Sequence, residues 1–391
     1  MGESGPDGGL MTADAPSTAA GQEPAAPQRT PLHAVHEAAG AQLVDFAGWA
    51  MPVRYGSDLA EHQAVRERAG LFDLSHMAEL RVRGAEAGAA LDRALAGRLS
   101  ALELGQAKYT LLLADDGGIV DDLIVYRLGE AEYLVVANAG NRRAAADAIA
   151  ERIAGLDATL VDETDETALI AVQGPAAAAI VGAIGLESEP LEGLRYYRAL
   201  EAVFEGEDVL VARTGYTGED GFELYIAAHA AEDLWRAIVL AGEEHGLALC
   251  GLAARDTLRL EAGMPLYGHE LSLATQPAQV GLGRVPALRT KGDFVGRAAV
   301  EAGPAEGAPV LVALTAEGRR APRAGYPVLD GGRVVGEVTS GALSPTLGRP
   351  IAMALVEPGS ANSDSLTVDV RGTQLPAAVT QLPFYTREAR A

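Results

Sequence analysis

The chain of 391 residues is long enough for two or three domains, and its 54 Asp and Glu against 31 Lys and Arg give a formal net charge of −23. This acidity argues against non-specific binding to nucleic acid or to an anionic membrane, since both require a basic face on the protein. The single cysteine, Cys250, excludes an internal disulfide and zinc sites of the CxxC type, which fits a cytoplasmic protein.

The first segment, residues 1–29, is predicted to be a disordered tail. Gly, Ala and Pro fill more than half of residues 1–27, which contain no aromatic side chain and no basic residue. Such a segment cannot bury enough apolar surface to offset the entropy lost on ordering. No later stretch approaches 18 uninterrupted apolar residues, so no membrane-spanning helix is predicted.

Residues 30–285 carry helical and strand-like patterns in irregular order. Apolar spacing predicts helices at Ala85–Leu95, Arg142–Ile153 and Ala230–His245. Short apolar runs predict strands at Ala78–Val82, Tyr109–Leu113, Ile119–Tyr126, Tyr133–Ala137, Ala168–Val172, Val209–Arg213 and Phe222–Ile226. The turn residues 115–118 indicate a hairpin. We therefore predict an α+β body with mainly antiparallel sheets, without an internal sequence repeat.

The helical pattern fades after Lys291. Short strands separated by turns are predicted at Val310–Leu314, Arg333–Thr339, Pro350–Val356, Ser365–Val370 and Pro376–Thr380. We therefore predict a small all-β C-terminal domain over residues 308–388.

Two adjacent carboxylates, Asp121 and Asp122, follow the Gly117-Gly118 turn and lead into an apolar strand. Because side chains alternate along a strand, the two carboxylates point to opposite faces. One of them then faces packed residues, where burial raises its pKa and suits it to accept a proton or anchor a ligand. The alternative is a pair of solvated turn acids.

The segment 213–223 contains Tyr216 and three glycines, Gly215, Gly218 and Gly221, and it ends at Glu223. Glycines allow the backbone to approach a ligand closely, although a long β-turn explains them equally well.

In the segment 251–263, Arg255 and Arg259 share one helical face. Each is expected to pair with a carboxylate, either on a ligand or within the protein at Asp256 or Glu261.

Other polar residues have simple structural interpretations. Asn138 and Asn141 stand at the start of a helix, where helix capping is the usual role of asparagine. The pair Tyr196 and Tyr197 can stack on a flat ligand or simply pack. The histidines are scattered, and His33 with His36 are interpreted as surface residues, so no metal site is predicted.

Seven motifs in order resemble the T-proteins of the glycine cleavage system, the aminomethyltransferase family. They are DFAGWAMPV (45–53), GLFDLSHM (70–77), GGIVDD (117–122), QGP (173–175), GYTGEDGFE (215–223), GLAARDTLRLEAGMPLYGHE (251–270) and TSGALSPTLG (339–348). The resemblance extends from about residue 30 to 387.

This resemblance implies a three-domain cloverleaf around a central folate channel, with two interleaved α+β subdomains in residues 30–285 and a small C-terminal β-barrel. It implies transfer of a one-carbon unit from the aminomethyl group on lipoylated H-protein to tetrahydrofolate, which acts as a cosubstrate. The products are 5,10-methylenetetrahydrofolate, ammonia and dihydrolipoyl H-protein.

The resemblance also implies the roles of individual residues. Asp122 matches the family's catalytic aspartate, and Glu223 matches the acid that binds the amino edge of the pterin. Further positions that line the folate site are Tyr109, Asn138, Tyr196, Tyr216 and Arg255. Met264 stands where some members carry an aromatic residue, so its contact with folate is expected to be hydrophobic.

Two other functions occur among similar proteins. One is a folate-dependent demethylase that acts on a free methylated compound without H-protein. The other is a non-enzymatic folate-binding factor of iron–sulfur cluster assembly, whose motif contains a cysteine that segment 261–270 lacks. A third interpretation, a plain oligomeric binding protein, leaves the ordered motifs unexplained.

The inferred folate is an anion, so we expect a small basic patch at the opening of its site, which we call the basic mouth. We expect H-protein to dock there, and its predicted residues are Arg195, Arg198, Arg213 and Arg255.

Overall fold

The computed structural model describes residues 26–387, so most of the predicted tail lies outside the described residues. Residues 26–29 of that segment are described. The backbone of Gln28 donates to the Gly48 carbonyl and accepts from the Ala50 amide, so this part of the chain is paired with the following hairpin.

Within residues 26–387 the chain forms nineteen strands and eight α-helices of six or more residues, in irregular order. In chain order the strands are β1 (Gln42–Phe46), β2 (Trp49–Arg54), β3 (Gly70–Asp73), β4 (Ala78–Arg83), β5 (Ala107–Leu113), β6 (Ile119–Gly129), β7 (Glu132–Ala137), β8 (Thr159–Asp162), β9 (Thr167–Gln173), β10 (Ala199–Phe204), β11 (Glu207–Ala212), β12 (Gly221–Ala227), β13 (Ala248–Leu249), β14 (Val310–Ala316), β15 (Pro327–Asp330), β16 (Arg333–Leu343), β17 (Pro350–Val356), β18 (Leu366–Val370) and β19 (Thr373–Thr380). The helices are α1 (His33–Ala38), α2 (Asp58–Glu67), α3 (Ala87–Ala94), α4 (Arg142–Ile153), α5 (Ala177–Ala183), α6 (Ala231–Gly242), α7 (Leu252–Glu261) and α8 (Arg297–Ala302). No helix within residues 26–387 is long and apolar enough to cross a bilayer.

Two sheets form the body of the protein. The first has the strand order β5-β6-β7-β4-β8, and the second has the order β10-β11-β12-β9-β3-β13. All neighbouring strands in them are antiparallel except β13 with β3, which confirms the predicted fold class. The predicted hairpin is also confirmed, because β5 pairs with β6 across residues 114–118.

Each sheet is covered by helices on one face and meets the other sheet with its second face. Helices α3 and α4 pack on the first sheet, and α5 and α6 pack on the second. The inner faces form a shared core, to which Tyr126 and Leu134 contribute from one sheet and Leu169 and Tyr225 from the other. The alternation along each strand thus divides residues between a helix-facing core and an intersheet core.

The two sheets repeat one order of elements, although the sequence shows no repeat. The first runs β4-α3-β5-β6-β7-α4-β8, and the second runs β9-α5-β10-β11-β12-α6-β13. The two sheets differ at one edge. In the second sheet β3, which precedes the first unit in the chain, lies between β9 and β13.

The C-terminal strands close a six-stranded barrel with the order β14-β17-β16-β15-β18-β19. The sequence-predicted strands are all present, and β15 was not predicted. Through Ala342, Ile351 and Met353 the barrel packs on Leu260 of α7, which places it beside the two-sheet body.

The interpretation of His33 and His36 as surface residues is wrong, because both side chains are buried. His36 Nε2 lies 2.8 Å from the Asp73 carboxylate, and Tyr55 OH lies 2.8 Å from His36 Nδ1. Asp73 is 37 residues further along the chain, so helical spacing alone could not identify this partner.

One buried carboxylate, Glu261 at the end of α7, connects the body to the barrel. Arg66 of α2 donates to it at 2.8 Å, and the Thr346 hydroxyl after β16 donates at 2.7 Å. Ser344 donates to the other carboxylate oxygen. Burial favours the protonated form of Glu261, but hydrogen bonds and positive charge from His62 and Arg66 outweigh it and lower its pKa to about 2.

We expect Glu261→Gln to lower the free energy of unfolding by about 3 kcal/mol, because removing one partner of a buried ion pair leaves the other uncompensated. Urea denaturation at neutral pH measures this change. Because the folded-state pKa is depressed, the stabilisation is present above the ordinary pKa of 4.5 and disappears as the pH falls toward 2. The two proteins should therefore converge in stability at low pH.

The matched control is Glu357→Gln, which removes an exposed partner of Arg333. Exposed pairs contribute about 0–1 kcal/mol, so this variant should remain near the wild type. Equal stability of the Glu261 variant and the control would show that the buried pair does not hold the barrel to the body.

Candidate functional site

Asp121 and Asp122 begin strand β6 and point to opposite faces, as the alternation predicts. Asp121 is fully buried, and Leu123 and Val125, which follow it at alternate positions, pack against the helices of the first sheet. Asp122 is half-buried and shares the inner face with Tyr126. Neither carboxylate is a solvated turn acid.

A single amide bridges the two carboxylates. Asn138 Nδ2, just after β7, donates to Asp121 Oδ1 at 2.7 Å and to Asp122 Oδ1 at 2.8 Å. Asn141 Nδ2 donates only to Asp121, also at 2.7 Å. The interpretation of Asn138 and Asn141 as helix caps is wrong, because neither side chain caps a helix.

Burial gives both carboxylates pKa values near neutrality. It raises the pKa of Asp121 to about 7, and the negative charge of Asp122 adds to this effect. It raises the pKa of Asp122 to about 6, although hydrogen bonds from Tyr109 and Asn138 favour the charged form. Asp122, whose other oxygen accepts from Tyr109 OH at 3.1 Å, is thus mostly ionised at pH 7 and able to take up a proton.

The second sheet supplies Glu223, which lies on the inner face of β12. Its Oε2 accepts from the Thr214 hydroxyl, and Tyr126 OH lies 3.4 Å from the same oxygen. Burial raises the pKa of Glu223, while the hydroxyl of Thr214 and the charge of Arg255 oppose the shift. The carboxylate is therefore desolvated but supported in its charged form.

The glycines of the 213–223 segment serve packing within the protein. A Cβ at Gly215 would lie 2.0 Å from Gln173 Oε1, and one at Gly221 would lie 2.4 Å from the same side chain. Gly218 has a φ of +81°, which side chains rarely adopt. The loop therefore closes around the buried Gln173 side chain, and this packing accounts for the glycines without a ligand.

The two arginines of α7 have different surroundings. Arg259 is buried and pairs with Asp256 at 2.7 Å and with Glu270 at 3.1 Å, so it has the structural role. Within residues 26–387 no carboxylate lies within 4 Å of the Arg255 guanidinium, which stands 4.8 Å from the centre of the Tyr216 ring. Burial lowers the pKa of Arg255. Arg255 therefore remains available for an anionic or carbonyl group of a ligand.

Aromatic side chains lie between the acids of the two sheets, because Tyr126 of β6 reaches Glu223 of β12, and we call this intersheet region the cleft. Burial raises the pKa of the Tyr197 phenol, and the charges of both Glu223 and Asp122 raise it further. Burial raises the pKa of Tyr216 as well, while the charges of Arg259 and Arg255 oppose this shift and the charge of Asp122 adds to it. Tyr126 OH on β6 lies 3.4 Å from Glu223 Oε2 on β12, so the acids of the two sheets border the same intersheet region.

Two predicted residues lie at the periphery. Tyr196 is 50% exposed and contacts Tyr197 edge to face. Met264 is half-buried after α7, next to Pro265, whose carbonyl accepts from Tyr216 OH. Thus Tyr109 and Asn138 contact Asp122 directly, Arg255 lies over the Tyr216 ring, and Glu223 borders the same intersheet region through Tyr126, whereas no polar contact of Tyr196 or Met264 with these acids is seen among the described residues.

The expected basic mouth is smaller than the sequence suggests. Arg198 pairs with Glu103, and Arg213 makes a two-pronged pair with Asp220. Arg195 is exposed, and among the described residues it has no carboxylate within 4 Å. Because two of the four arginines are neutralised within the protein, Arg195 and Arg255 carry the local positive charge.

Sequence reasoning assigned no role to three residues of the site, namely Tyr126, Gln173 and Thr214. Gln173 lies in the QGP motif and Thr214 lies in the segment 213–223, so both positions belong to patterns noted in the sequence, but no role for either side chain followed from these patterns. Tyr126 ends a predicted strand and gave no signal besides its aromatic ring. Within residues 26–387 no group of three or more His, Cys, Asp or Glu is arranged to hold a metal ion.

The cleft thus combines a proton acceptor, an acceptor for paired N–H donors, a free cation and aromatic walls. Such a set can bind a polar ligand that carries hydrogen-bond donors and an anionic or carbonyl group. Comparison with known proteins identifies the family. Residues 32–290 match the family described as the GCVT N-terminal domain, and residues 310–386 match the glycine cleavage T-protein C-terminal barrel domain.

Curated relatives and a solved structure extend over nearly the whole chain. An aminomethyltransferase of Cutibacterium acnes is 57% identical over 367 residues, covering 92% of this chain and 99% of that protein. One of Streptomyces coelicolor is 55% identical, with 92% and 98% covered. The crystal structure of glycine cleavage system aminomethyltransferase T from Bartonella henselae has a TM-score of 0.84 at 36% identity, with 92% and 98% covered.

In the wild type the pKa is about 7 for Asp121 and about 6 for Asp122. We expect Asn138→Ala to raise both pKa values, because the Asn138 amide donates to each carboxylate and stabilises its charged form. Carbon-13 NMR titration of labelled aspartate carboxyl groups measures both. Asn141→Ala is the matched control and should move only Asp121. Unchanged titration of Asp122 in the Asn138 variant would contradict the bridging role.

Proposed function

Because the chain belongs to the glycine cleavage T-protein family, we propose that it transfers the one-carbon unit of the aminomethyl group on lipoylated H-protein to tetrahydrofolate. The chain is an enzyme of the aminomethyltransferase class, as its curated relatives are. The proposed products are 5,10-methylenetetrahydrofolate, ammonia and dihydrolipoyl H-protein. The observation that carries the proposal is the half-buried Asp122, held by Tyr109 and Asn138.

The atoms of this transfer define what the site must do. The carbon loses its bonds to sulfur and to the amino nitrogen, and it gains bonds to N5 and N10 of the folate. The two protons that leave those nitrogens are balanced by protons gained at the thiol and at ammonia. A carboxylate beside the folate nitrogens can accept a proton, return it to a leaving group and stabilise the cationic intermediate.

Asp122 is suited to that role by its surroundings. Its pKa of about 6 is close to the working pH, so it is charged before the reaction yet basic enough to take up a proton. Tyr109 and Asn138 each donate to one of its oxygens and so fix the carboxylate plane. Asp121 stays on the far side of the strand and acts only through Asn138.

Glu223 and Arg255 are proposed to bind the pterin edge. The 2-amino group and the neighbouring ring N–H of the pterin are adjacent donors, which a carboxylate accepts in parallel. The adjacent ring carbonyl suits the unpaired Arg255 guanidinium. Tyr109, Tyr216 and Tyr196 supply aromatic surface for the flat rings, and Met264 supplies an apolar contact at the edge of the site.

H-protein is the proposed protein partner, and the exposed surface around Arg195 and Tyr196 is the proposed docking region. The carrier's lipoyl arm must reach the half-buried Asp122, so the carrier has to bind near the opening of the cleft. The proposed location is the cytoplasm. Tetrahydrofolate is the cosubstrate, and no metal is proposed.

The two competing functions make different demands. The iron–sulfur assembly factors require a reactive cysteine, whereas Cys250 is buried and its burial raises the pKa of the thiol well above the usual range. A demethylase shares the folate site and differs in the donor of the carbon. Mixing the protein with aminomethylated H-protein and tetrahydrofolate and following ammonia tests this directly. Activity only on a free methylated compound would favour the demethylase.

We expect Asp122→Asn to reduce the rate of transfer by about 10²–10⁴-fold, the usual loss when a general base is removed. The amide has nearly the shape of the carboxylate, so the fold and the thermal unfolding midpoint should be kept. Ammonia release under saturating substrates measures the rate. A variant that retains more than about a tenth of the wild-type rate would refute the assignment of Asp122.

We expect Glu223→Ala to weaken tetrahydrofolate binding by about 10- to 100-fold while slowing transfer in the saturated enzyme much less, because the contact is made in the ground state as well. Isothermal calorimetry gives the dissociation constant and steady-state kinetics gives kcat. Equal folate affinity in variant and wild type would exclude Glu223 from the pterin site.

A further inference from the structure

Glu223 is held by the hydroxyl groups of two residues for which the sequence alone predicted no role, Thr214 and Tyr126. The Thr214 hydroxyl donates to Oε2, and Tyr126 OH lies 3.0 Å from Thr214 Oγ1. Both residues are at most 2% exposed. Within residues 26–387, Glu223 Oε1 has no hydrogen-bonding partner within 3.5 Å, so one oxygen is held by the protein and the other remains uncommitted.

Thr214 is itself fixed on its backbone side. Its carbonyl accepts from Gln173 Nε2 at 3.0 Å, and Gln173 Oε1 accepts from the Thr217 hydroxyl at 3.1 Å. The side chain of Gln173 lies so close to Gly215 and Gly221 that neither position has room for a Cβ. The hydroxyl of Thr214 therefore has little freedom to turn away from Glu223.

The hydroxyl chain also crosses the interface between the two sheets. Tyr126 comes from β6 of the first sheet and reaches Glu223 on β12 of the second. Tyr225 OH, on the same strand as Glu223, donates to Tyr126 OH at 3.3 Å. The orientation of the carboxylate thus depends on contacts from both halves of the body.

We propose that Thr214 and Tyr126 are positioning residues, which hold Glu223 charged and in one orientation, with Oε1 left free of protein partners, and thereby determine its affinity for the 2-amino edge of a pterin. This inference rests on the proposed function of Glu223. A carboxylate fixed before binding avoids the ordering cost on association, and a donated hydroxyl stabilises its charge where water is excluded.

Electrostatics supports the geometric argument. Burial raises the pKa of Glu223, and the Thr214 hydroxyl is the first of the groups that oppose it. The charged and titratable groups that face Glu223 from the surrounding elements are Tyr126 of β6, Tyr225 of β12, Tyr196 and Tyr197 before β10, and Arg255 of α7. Loss of the hydroxyl should therefore extend protonation of Glu223 to higher pH.

The first test is Thr214→Val, which removes the hydroxyl and keeps the branched shape. We expect the KM for tetrahydrofolate to rise by about 10- to 100-fold, as for a lost hydrogen bond to a charged group, with kcat reduced by less than about threefold. Thr214→Ser keeps the hydroxyl and should restore the KM. Tyr126→Phe provides a second variant and should raise the KM in the same direction.

A matched control separates this role from the general loss of a buried hydroxyl. Thr164 is also 2% exposed, and its hydroxyl accepts from the Glu79 amide in the first sheet, away from the cleft. Thr164→Val should destabilise the protein comparably without changing the KM for tetrahydrofolate. A KM increase in this control equal to that in the Thr214 variant would refute a specific positioning role.

The second test uses a tetrahydrofolate analogue that lacks the 2-amino group. With this analogue the KM difference between wild type and Thr214→Val should fall to less than about twofold. In a separate double-variant test with tetrahydrofolate itself, adding Thr214→Val to Glu223→Ala should have no further effect on binding. The affinity of Thr214→Val for tetrahydrofolate should also begin to fall at a higher pH than that of wild type.

Equal KM values for Thr214→Val and wild type, or a full KM increase with the analogue, would overturn the inference. These results are distinguishable from failure of the proposed function. If Glu223→Ala leaves folate affinity unchanged, the role of Glu223 itself is refuted. If Glu223→Ala weakens binding but Thr214→Val does not, only the positioning role fails.

Discussion

The buried carboxylate of Glu261 is the contact on which the arrangement of the molecule depends. It joins α7 to α2 through Arg66, and it joins both to the barrel through Ser344 and Thr346. Arg66 also holds the glycine-rich loop through the Thr217 carbonyl and Glu219. Because α7 carries Arg255 and that loop carries Tyr216, one ion network fixes the helix and the loop of the site relative to each other and to the barrel. A charge without partners at this depth would be strongly destabilising, so the partners have to stay together.

Local patterns in the sequence were sufficient for most strands and for the class of fold. The hairpin of β5 and β6 and the strands of the barrel follow from apolar runs and turn residues, which are local signals. The repeated order of elements was not predicted, because β8, α5, β10 and β13 were not among the elements predicted from apolar patterns. The burial of His36 was missed because it depends on a residue distant in the chain. Its partner Asp73 is separated from it by 37 residues, and helical spacing contains no information about such contacts.

The acids of the candidate site were predicted from the sequence, but the hydrogen bonds that control their charge and orientation were not. Asp122 and Glu223 were identified through motifs. Asn138 was assigned to the folate site by the resemblance and to a helix cap by its position, but its bridge between the two aspartates was not predicted. The bridge requires β6 and β7 to be neighbours, and it is therefore a property of the sheet. The net charge of the protein likewise did not predict the local charge of the site, because Arg198 and Arg213 are neutralised by Glu103 and Asp220. Net charge and motif position could not reveal these pairings, which decide how much positive charge is left near the cleft.

The position of β3 has a consequence for synthesis of the chain on the ribosome. All four residues of β3 are buried in the finished protein, between β13 and β9. Its antiparallel partner β9 follows only after the whole first sheet unit, about 90 residues later, which corresponds to roughly 5–20 s of translation. During that interval the first sheet can close from contiguous chain, while Leu71 and Phe72 have no sheet to join. The nascent chain therefore exposes an apolar strand edge until the second half emerges, and this is where protection by a chaperone matters most.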